Sequence, residues 1–520
     1  MSKKTYRLGI DVGGTNTDAV LIDESLNVAA EVKLPTSEDI YGGILAAIKR
    51  LLGSSGIDRK LISKSMLGTT QCTNAIVERK WLSKIGILRI GAPASTGIRP
   101  MIDWADDLSA IAVETEMIRG GYEFDGKEIA AFDENAARDF FERCKNKGLK
   151  SIAISQVFSV VRDDHEIAAG KICRQVMGDG VYISLSGKIG SMGLIERENA
   201  TILNAALHEV AHGFTEGFVS ALKEEGVTGA DIYFSQNDGT LMSMEQAQKY
   251  PILTIACGPT NSIRGASYLS SLSNAVVIDI GGTSTDFGIL QNGFPRESSI
   301  AVTIGGVRTN FRMPDVISIG LGGGSIVRKK NGGTTVGPDS VGYRITEKAL
   351  VFGGDTLTAT DIAVKLGMAN VGDASKVAHI DKSVAENALE VMKAMVEDHL
   401  DSMKTSSEDV DVVLVGGGSI LLPDHIAGAK RLYKPEHFAV ANAIGSAISK
   451  VSGTCEKLVS YDETPREQAL ENAKKEAVEL AVKAGAIRET VEIIDAEDVP
   501  LQYHTGNTCR IKIKAAGELG

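Results

Sequence analysis

The chain has 520 residues, 43% hydrophobic and 23% charged, a composition typical of a globular protein with more than one domain. Its net charge of −12, without any block rich in lysine and arginine, argues against a nucleic-acid partner. No apolar run approaches the length of a membrane span, the first residues do not resemble a signal peptide, and the six cysteines include no CxxC pair, so we expect a cytoplasmic protein without a disulfide framework.

The first predicted element is a β-hairpin with a pair of glycines in its turn. Residues 7–10 (Arg-Leu-Gly-Ile) lead into Asp11-Val12-Gly13-Gly14-Thr15-Asn16-Thr17-Asp18, and an apolar run follows at 19–22. This pattern is typical of two strands joined by a tight turn. Because glycine has no Cβ, the backbone N–H groups of such a turn can approach an anion closely. Threonine hydroxyls add donors, and the leading Asp11 can hold a divalent metal ion.

The next feature that carries chemistry is a polar cluster at residues 69–75. It follows a strand predicted at 27–34, an amphipathic helix at 40–52 ended by Gly53, and a short strand that ends at Gly68. The cluster contains Thr69, Thr70, Gln71, Thr73 and Asn74 and precedes a helix predicted at 76–81. A helix N-terminus suits an anion or a polar ligand, and the alternative is an ordinary N-cap.

A helical pattern at 194–225 contains a zinc-peptidase motif. It follows strands predicted at 84–90 and 150–157, which with intervening helices indicate an α/β domain that reaches residue 187. On a helix, His208-Glu209-Val210-Ala211-His212 would place two imidazoles on one face with the glutamate as a base. The extended form of the motif, with a glycine and a third histidine, is absent, because Thr215 and Phe218 stand at those positions. We therefore expect an ordinary helix without bound zinc.

The octet of the first hairpin returns in the second half of the chain. Asp279-Ile280-Gly281-Gly282-Thr283-Ser284-Thr285-Asp286 matches it at six of eight positions and again follows an apolar strand. A strand at 231–235 and a helix that begins near Gly258-Pro259 precede it. One such hairpin would be weak evidence of function. Two that face each other would enclose a nucleoside triphosphate with Mg²⁺.

Two more glycine-rich turns and a helical C-terminal part complete the chain. The turns lie at 319–326 and at Gly416–Gly418, the latter directly after a strand at 412–415, where glycines let the backbone pass close to a base or a ribose. A helix of small residues at 441–450 can pack closely on another helix. A charged helix at 464–484 and strand-like runs at 490–494 and 508–515 predict a small C-terminal lobe.

These stretches in this order resemble the ATPase superfamily of sugar kinases, Hsp70 and actin, in which two RNase H-like domains close over ATP. Within it the sequence is similar to the A-type chains of the hydantoinase/oxoprolinase family. The likeness spans most of residues 1–450 and is carried by the stretches 13–18, 68–79, 238–245, 258–266, 319–326 and 337–342. It implies an α/β fold with RNase H-like domains at 1–187 and 188–460 and a small α+β lobe at 461–520.

The sequence departs from the family pattern at three places. Asn16 stands where the family usually has phenylalanine, and Ile317 where it often has histidine. The segment after Gly342 lacks the usual Pro-Gly-Pro-Ala-Cys run. These departures bear on the substrate and the partner more than on ATP binding.

The resemblance implies ATP-dependent opening of a cyclic amide such as a hydantoin, 5-oxoproline or a lactam. It assigns Asp11 and Asp279 to Mg²⁺ and to catalysis, together with Thr70 and Asn74, and it places Thr69 and Thr73 at the substrate. The residues expected at ATP are Gly13, Gly14, Thr15, Thr17, Gly281, Gly282, Thr283, Thr285, Gly416, Gly417 and Gly418. Asp18 and Asp286 either orient the turns by hydrogen bonds or support Asp11 and Asp279 without contacting the ligand themselves.

Two other functions use the same fold. A kinase for a small hydroxylated metabolite needs the same ATP site, and so does an ATPase reactivase or scaffold of the Hsp70 and actin sort. The Thr-Thr…Thr-Asn cluster favours the amide substrate, because a scaffold needs no polar pocket beyond the γ-phosphate. The resemblance also implies a partner chain of the family's B type. The sequence leaves open whether the chain forms a homo-oligomer.

Overall fold

The computed structural model describes residues 5–36, 39–298, 301–311, 313–330, 333–501 and 507–520. In its first half the elements are β1 (Tyr6–Val12), β2 (Asn16–Asp23), β3 (Val28–Pro35), α1 (Ile40–Ser55), β4 (Ile62–Thr69), α2 (Gln71–Glu78), β5 (Ile85–Ala92), α3 (Asp106–Ser109), β6 (Ala112–Arg119), α4 (Glu134–Asn146), β7 (Ser151–Gln156), α5 (Asp164–Met177), β8 (Tyr182–Leu185), α6 (Leu194–Ala206), α7 (His208–Glu224), β9 (Asp231–Ser235), β10 (Leu241–Ser243), α8 (Met244–Lys249) and α9 (Cys257–Ser270).

The second half begins with the second hairpin. Its elements are β11 (Ala275–Ile280), β12 (Thr285–Gln291), β13 (Phe294–Pro295), β14 (Val302–Ile304), β15 (Val307–Thr309), β16 (Val316–Ile319), β17 (Ser325–Lys330), β18 (Gly333–Ser340), α10 (Ile345–Lys348), α11 (Ala359–Lys365), α12 (Lys382–Met403), β19 (Val410–Val415), β20 (Ala429–Tyr433), α13 (Ala441–Ile448), β21 (Val451–Ser460), α14 (Arg466–Lys483), β22 (Glu492–Pro500) and β23 (Thr508–Gly517). Within the described residues, no helix combines the length and the hydrophobicity that crossing a membrane requires.

Two sheets repeat one arrangement around the two hairpins. In the first sheet β1 is antiparallel to β2 and parallel to β4, and the strand order is β22-β23-β21-β10-β9-β4-β1-β2-β3. In the second sheet β11 is antiparallel to β12 and parallel to β19, with the order β13-β12-β11-β19-β20 and β16 paired to β12. The α/β architecture of two related domains that the resemblance implied is thereby confirmed.

Two helices of small residues separate the sheets. α13 lies against β1 and β2, where a Cβ on Gly9 would stand 2.4 Å from the carbonyl oxygen of Ala443. α9 lies against the second sheet and crosses α13 so closely that a Cβ on Gly265 would stand 1.9 Å from the carbonyl oxygen of Ala441. The predicted close packing of the small-residue helix is confirmed, and the contact brings residues of α9 and α13 to both hairpins.

A third sheet is inserted between β4 and β9. Its strands β6-β5-β7-β8 are all parallel, and α4 and α5 cover one face. On the other face α6 carries a row of buried polar side chains toward the insert, including an ion pair between Glu198 and Arg89 in which both side chains are about 1% exposed. The insert is therefore joined to the first domain by this ion pair and also by apolar packing, because Ile85, Ile87 and Ala153 belong to the same hydrophobic core as β1, β4 and α6.

Three predicted boundaries differ from the structure. α1 continues to Ser55 and ends at Gly56, which has a left-handed φ of 66°. α2 begins at Gln71 instead of residue 76, because the short polar side chains after Thr70 form the first turns of the helix rather than a loop in front of it. The pattern at 194–225 is two helices that meet at Leu207, and its apolar spacing runs through the break without a signal.

The sheets also cross the predicted domain boundaries at residues 187 and 460. β9 and β10 belong to the first sheet, although they lie in the predicted segment 188–460. β22 and β23 extend the same sheet through β21, and α14 packs on them, so residues 461–520 continue the first domain instead of forming a separate lobe. Periodicity predicts strands but not the strands with which they pair. The predicted domain boundaries therefore follow only the order of the elements along the chain.

Candidate functional site

The two hairpin turns face each other and touch. The hydroxyls of Thr15 and Thr283 lie 3.0 Å apart, which joins equivalent positions of the two octets. Gly282 is packed against Thr15 so closely that a Cβ there would stand 2.4 Å from its Cγ2, whereas Gly14 has no atom within 4 Å of the equivalent position. The facing hairpins expected from the duplicated sequence are therefore brought together in this conformation.

Each turn is closed by the same backbone hydrogen bond. The N–H of Gly13 donates to the carbonyl of Asn16 at 3.0 Å, and that of Gly281 donates to the carbonyl of Ser284 at 2.9 Å. The predicted threonines at the second strands serve the turns themselves, because the Thr285 hydroxyl donates to the Leu321 carbonyl at 2.7 Å and the Thr17 hydroxyl is fully buried. The geometry gives these two hydroxyls no direct path to a ligand between the turns.

The glycine-rich stretch 320–324 lies on the second turn. The N–H of Gly323 donates to the carbonyl of Gly281 at 3.0 Å, and the N–H of Gly324 donates to that of Gly282 at 2.7 Å. A Cβ on Gly322 would stand 2.6 Å from the backbone of Gly282. Only glycine allows this approach, so the stretch braces the second turn instead of forming a separate site.

Asp11 is buried and held by two amides. Asn261 of α9 donates to its Oδ1 at 2.9 Å, and Asn442 of α13 donates to its Oδ2 at 3.0 Å. The carboxylate is 3% exposed, and burial raises its pKa to about 6 against the opposing effect of the Asn261 amide. The cross-strand partner of Asp11 in the hairpin is Asp18.

Asp18 is paired with a lysine that the sequence did not single out. Lys33 on β3 contacts both carboxylate oxygens at 2.8 Å, and Asn442 donates to Oδ2 at 2.9 Å. Asn442 therefore bridges Asp18 to Asp11. Burial raises the pKa of Asp18, and the charge of Lys33 opposes that rise.

The carboxylates of the second hairpin have different neighbours. Asp279 and Asp286 are cross-strand partners, as Asp11 and Asp18 are, but both are partly exposed. The hydroxyl of Ser262 on α9 donates to Asp279, and the hydroxyl of Ser318 on β16 donates to Asp286. Burial raises the pKa of Asp286 to about 7, and burial likewise raises that of Asp279.

The turn at Gly416–Gly418 lies beside Asp279. Gly416 has a φ of 85°, and a Cβ there would stand 2.1 Å from Oδ1 of Asp279. A Cβ on Gly418 would stand 2.7 Å from the carbonyl oxygen of Gly281. The residues after Gly416 form a 3₁₀ turn at 417–421, and the structure places this turn at the edge of the second hairpin. Its predicted contact with adenosine stays a prediction.

The polar cluster of α2 lies at the first hairpin. The hydroxyl of Thr70 lies 3.3 Å from the Val12 carbonyl, and the Asn74 amide lies 3.5 Å from that hydroxyl. Thr69 is buried, whereas Asn74 is exposed. The buried hydroxyl of Thr73 has no hydrogen-bond partner among the described residues. The helix N-terminus therefore stands next to the turn with one donor unused.

The carboxylates and the cluster meet at Gly68, the last glycine before α2. A Cβ there would stand 2.4 Å from Oδ1 of Asp11 and 2.3 Å from the amide nitrogen of Asn261. The strand that leads into the polar cluster thus passes directly over the carboxylate of the first hairpin. A substrate at α2 would be adjacent to a phosphate between the turns.

The histidines of the zinc-peptidase motif lie elsewhere, at the first turn of α7. The ring of His208 stacks on Tyr182 with centroids 4.2 Å apart, and His212 is 3.4 Å from Glu216. Both histidines line an open cavity of about 450 Å³ between α7, α8 and β8. Burial lowers the pKa of His208 to about 4. Across the described ranges, no three histidine, cysteine or acidic side chains are grouped as a metal site would require.

Sequence reasoning missed the residues that hold the four carboxylates. They are Lys33, Asn261, Ser262, Ser318 and Asn442. Asn261 and Ser262 stand in the stretch after Gly258-Pro259 that carries part of the family likeness, which was a usable signal. Lys33 stands in a strand with alternating charges, where a lysine is ordinarily a solvated side chain.

Sequence models of one family match most of the chain. The model described as hydantoinase/oxoprolinase N-terminal region matches residues 7–177, and that described as hydantoinase/oxoprolinase matches residues 197–373. The alpha subunit of the caprolactamase of Pseudomonas jessenii is 26% identical over 485 residues, which are 88% of this chain and 68% of that protein. The 5-oxoprolinase of Saccharomyces cerevisiae is 30% identical over 240 residues, which are 45% of this chain and 18% of that enzyme.

Solved structures show the same fold. The ATP-dependent caprolactamase of Pseudomonas jessenii superposes with a TM-score of 0.78 at 20% identity, covering 99% of this chain and 88% of that one. Nucleotide-free acetone carboxylase superposes with a TM-score of 0.71 at 19% identity, with the same two coverages. The architecture is thus shared with proteins whose sequences have diverged far from this one.

Proposed function

The chain belongs to the hydantoinase/oxoprolinase family, and we propose that it is the ATP-dependent component that activates a cyclic amide for ring opening. The observation that supports this most is the contact of the two hairpins through Thr15 and Thr283, with a carboxylate pair behind each turn and the polar N-terminus of α2 beside Asp11. A phosphate between the turns would lie next to a substrate bound at α2.

The chemistry explains why a ring-opening enzyme would use ATP. An unstrained amide is a poor electrophile, so water attacks it slowly. Transfer of the γ-phosphoryl group to the amide oxygen releases ADP and gives an imidate phosphate. Water then adds to its carbon, and the ring C–N bond breaks to leave an acyl phosphate and the freed amine. A second water hydrolyses the acyl phosphate to the ring-opened acid and phosphate. The first of these steps depends on positioning and on neutralisation of charge more than on a strong nucleophile.

The residues of the site would divide this work by position. The turns at 13–15 and 281–283 would cradle the phosphates with backbone N–H groups, and the turn at 416–418 would lie against the adenosine. Thr69 and Thr73 would face the amide, where the unused Thr73 hydroxyl has a hydrogen bond to give. Thr70 and Asn74 would contact the reacting group. Because the Thr15 and Thr283 hydroxyls are in contact, the phosphates would enter by separating them.

Magnesium would fit the second hairpin. Mg²⁺ prefers oxygen ligands and is held by one or two carboxylates together with phosphate oxygens and water. Asp279 and Asp286 are a partly exposed carboxylate pair with hydroxyl neighbours, which is such a donor set. When bound, the ion would neutralise phosphate charge. The carboxylate of Asp11 is held by amides on both oxygens, so a role for it at the metal stays a prediction.

A partner of the B type would complete the reaction. Relatives of the chain are named as the alpha subunit of caprolactamase, the gamma subunit of acetophenone carboxylase and the beta subunit of acetone carboxylase. We propose that this chain phosphorylates the amide and that a B-type partner hydrolyses the activated intermediate. A cytoplasmic location and a homo-oligomeric state stay predictions. Family membership does not favour a metabolite kinase or a scaffold.

The test measures the two products separately. The purified chain is mixed with ATP, Mg²⁺ and a panel of hydantoins, lactams and 5-oxoproline, and ADP and ring-opened acid are quantified. We expect slow ADP formation that a cyclic amide accelerates, with ring opening only after the partner is added. ADP formation accelerated by sugars alone would favour a kinase, and acceleration by a methyl ketone with bicarbonate would favour a carboxylase. Full ring opening by the isolated chain would show that no partner is needed.

A further inference from the structure

The ammonium group of Lys33 lies where the parts of the candidate ATP site converge. It contacts both carboxylate oxygens of Asp18 at 2.8 Å and donates to the Ala439 carbonyl at 3.0 Å, in the turn ahead of α13. Its Cε is 3.2 Å from the position of a Cβ on Gly417. Lys33 thus connects β3 of the first sheet to the glycine turn of the second.

The charge of Lys33 also affects the second hairpin. Its positive charge opposes the rise in the pKa of Asp279, although Asp279 belongs to the other sheet. The side chain is 29% exposed, whereas that of Asp18 is 2% exposed, so the ammonium group forms the accessible end of the pair. A ligand that enters between the turns and the Gly417 turn would meet the lysine before the aspartate.

A nucleoside triphosphate needs positive charge at this place. Its phosphates carry several negative charges, and the site already contains four carboxylates within the two hairpins. One divalent ion does not balance them. Lysine is a common phosphate ligand because its compact ammonium group offers three donors on a flexible stem.

We propose that Lys33 is the phosphate-binding cation that this chain contributes to its nucleotide site, and that Asp18 holds the ammonium group in position until ATP arrives. On binding, a phosphate oxygen takes over one of the hydrogen bonds that Lys33 makes to Asp18 or to Ala439. The inference rests on ATP being the nucleotide of the proposed function. It adds the residue that selects a triphosphate over an uncharged nucleoside.

A purely structural role for Lys33 predicts different behaviour. If Lys33 only neutralised buried Asp18, removing both charges together would restore nucleotide binding. The decisive comparison is therefore made in the Asp18→Asn background, where the lysine has no carboxylate partner in the pair. The double variant Lys33→Met with Asp18→Asn leaves no unpaired charge, so it remains measurable even if Lys33→Met alone does not fold.

The experiment measures equilibrium binding of ATP, ADP and adenosine by displacement of a fluorescent ATP analogue, without any cyclic amide. We expect Lys33→Met to weaken ATP binding by about tenfold or more in the Asp18→Asn background, and adenosine binding by less than about twofold. Lys33→Arg should recover part of the loss. Lys457→Met serves as the charge-matched control. Lys457 lies on β21 and forms an ion pair with Glu476 of α14.

Two outcomes would overturn the inference. One is ATP binding in the double variant equal to that in Asp18→Asn alone, and the other is an equal loss for ATP and adenosine. Failure of the proposed function gives a distinct result, because it appears as ADP formation that cyclic amides do not accelerate and leaves the comparison of the Lys33 variants unchanged. A wild-type chain that binds no ATP would remove the premise of both. The same measurement in EDTA and in Mg²⁺ separates the lysine from the metal ion, since the effect of Lys33 should persist without the metal.

Discussion

The two hairpins share a sequence and a backbone but differ in what surrounds their carboxylates. In both, the leading aspartate pairs across the turn with the closing aspartate, Asp11 with Asp18 and Asp279 with Asp286. The first pair is buried and held by a lysine and two amides. The second pair is partly exposed and receives hydroxyl hydrogen bonds from serines. A duplicated motif has therefore kept its geometry while its electrostatics diverged.

This difference assigns the hairpins separate roles. A buried carboxylate needs its charge compensated by the protein, and the first pair has that compensation built in. Among the residues that the structure describes, the second pair accepts side-chain hydrogen bonds from serine hydroxyls and from no cation, and its exposure leaves it open to a divalent ion. We infer that the first hairpin supplies a fixed positive charge through Lys33, whereas the second recruits one from solution.

The largest expected effect comes from removing the leading carboxylate of either hairpin. Asp11→Ala and Asp279→Ala should each lower ATP turnover by roughly a thousandfold, because each loses a group that orients phosphate or metal in the transition state. Circular dichroism should show an intact fold. Turnover within about threefold of wild type in either variant would contradict the assignment of both hairpins to the ATP site.

A smaller effect distinguishes the two leading aspartates by whether they bind Mg²⁺. Asp279→Asn should raise the Mg²⁺ concentration needed for half-maximal ATP binding by about tenfold or more, because a carboxylate ligand becomes a neutral amide. Asp11→Asn should leave that concentration within about threefold. The measurement is nucleotide binding titrated with Mg²⁺. Equal shifts in both variants would show that the ion lies between the hairpins and not on the second one.

Much of this site was predictable because it is formed by short continuous stretches of sequence. The octets predict both hairpins, and the glycines at 416–418 predict a turn that another group approaches closely. The prediction named the adenosine as that group, whereas the contact with Asp279 is known only from the structure. The polar cluster at Thr69–Asn74 was placed correctly beside a helix N-terminus. The bounds of the helix were wrong, because α2 runs from Gln71 to Glu78 instead of from residue 76 to 81. Residues that cap a helix can also form its first turn.

The rest depends on contacts between residues far apart in the sequence. Asn442 lies more than 400 residues from the two aspartates that it bridges, and nothing in a helix of small residues marks it as their partner. Lys33 looks like an exposed strand lysine until the turn at Gly417 is packed on it. Strands β21–β23 join the first sheet by pairing that no periodicity encodes. Contacts between residues far apart in the chain are therefore what the sequence did not predict.

A third experiment uses the glycines at equivalent turn positions. Gly282→Ala should destabilise the nucleotide-free chain by about 1–3 kcal/mol, because the added Cβ would stand 2.4 Å from Cγ2 of Thr15. Gly14→Ala is the matched control and should change stability by less than about 0.5 kcal/mol, since its Cβ meets open space.

Chemical denaturation without nucleotide measures both glycine variants. Thr15→Ser removes the methyl group that clashes and should recover part of the Gly282→Ala loss. Equal stability of Gly282→Ala and Gly14→Ala would mean that the turns are not in contact in solution, and the comparison of the hairpins would then apply only to the nucleotide-bound state.

The smallest effect is a dependence of stability on pH that belongs to the second hairpin. Burial raises the pKa of Asp286 to about 7 in the folded chain, so the folded state holds this proton more tightly than the unfolded state does. The stabilisation is fully present below the ordinary aspartate pKa and is lost as the pH rises through about 7. In EDTA, we expect Tm to fall by a few degrees between pH 5 and 8 and to fall less in Asp286→Asn. Exposed Asp462→Asn is the control and should follow wild type. An unchanged pH profile in Asp286→Asn would mean that its carboxylate is already compensated, as that of Asp18 is by Lys33, and would remove the electrostatic difference between the hairpins.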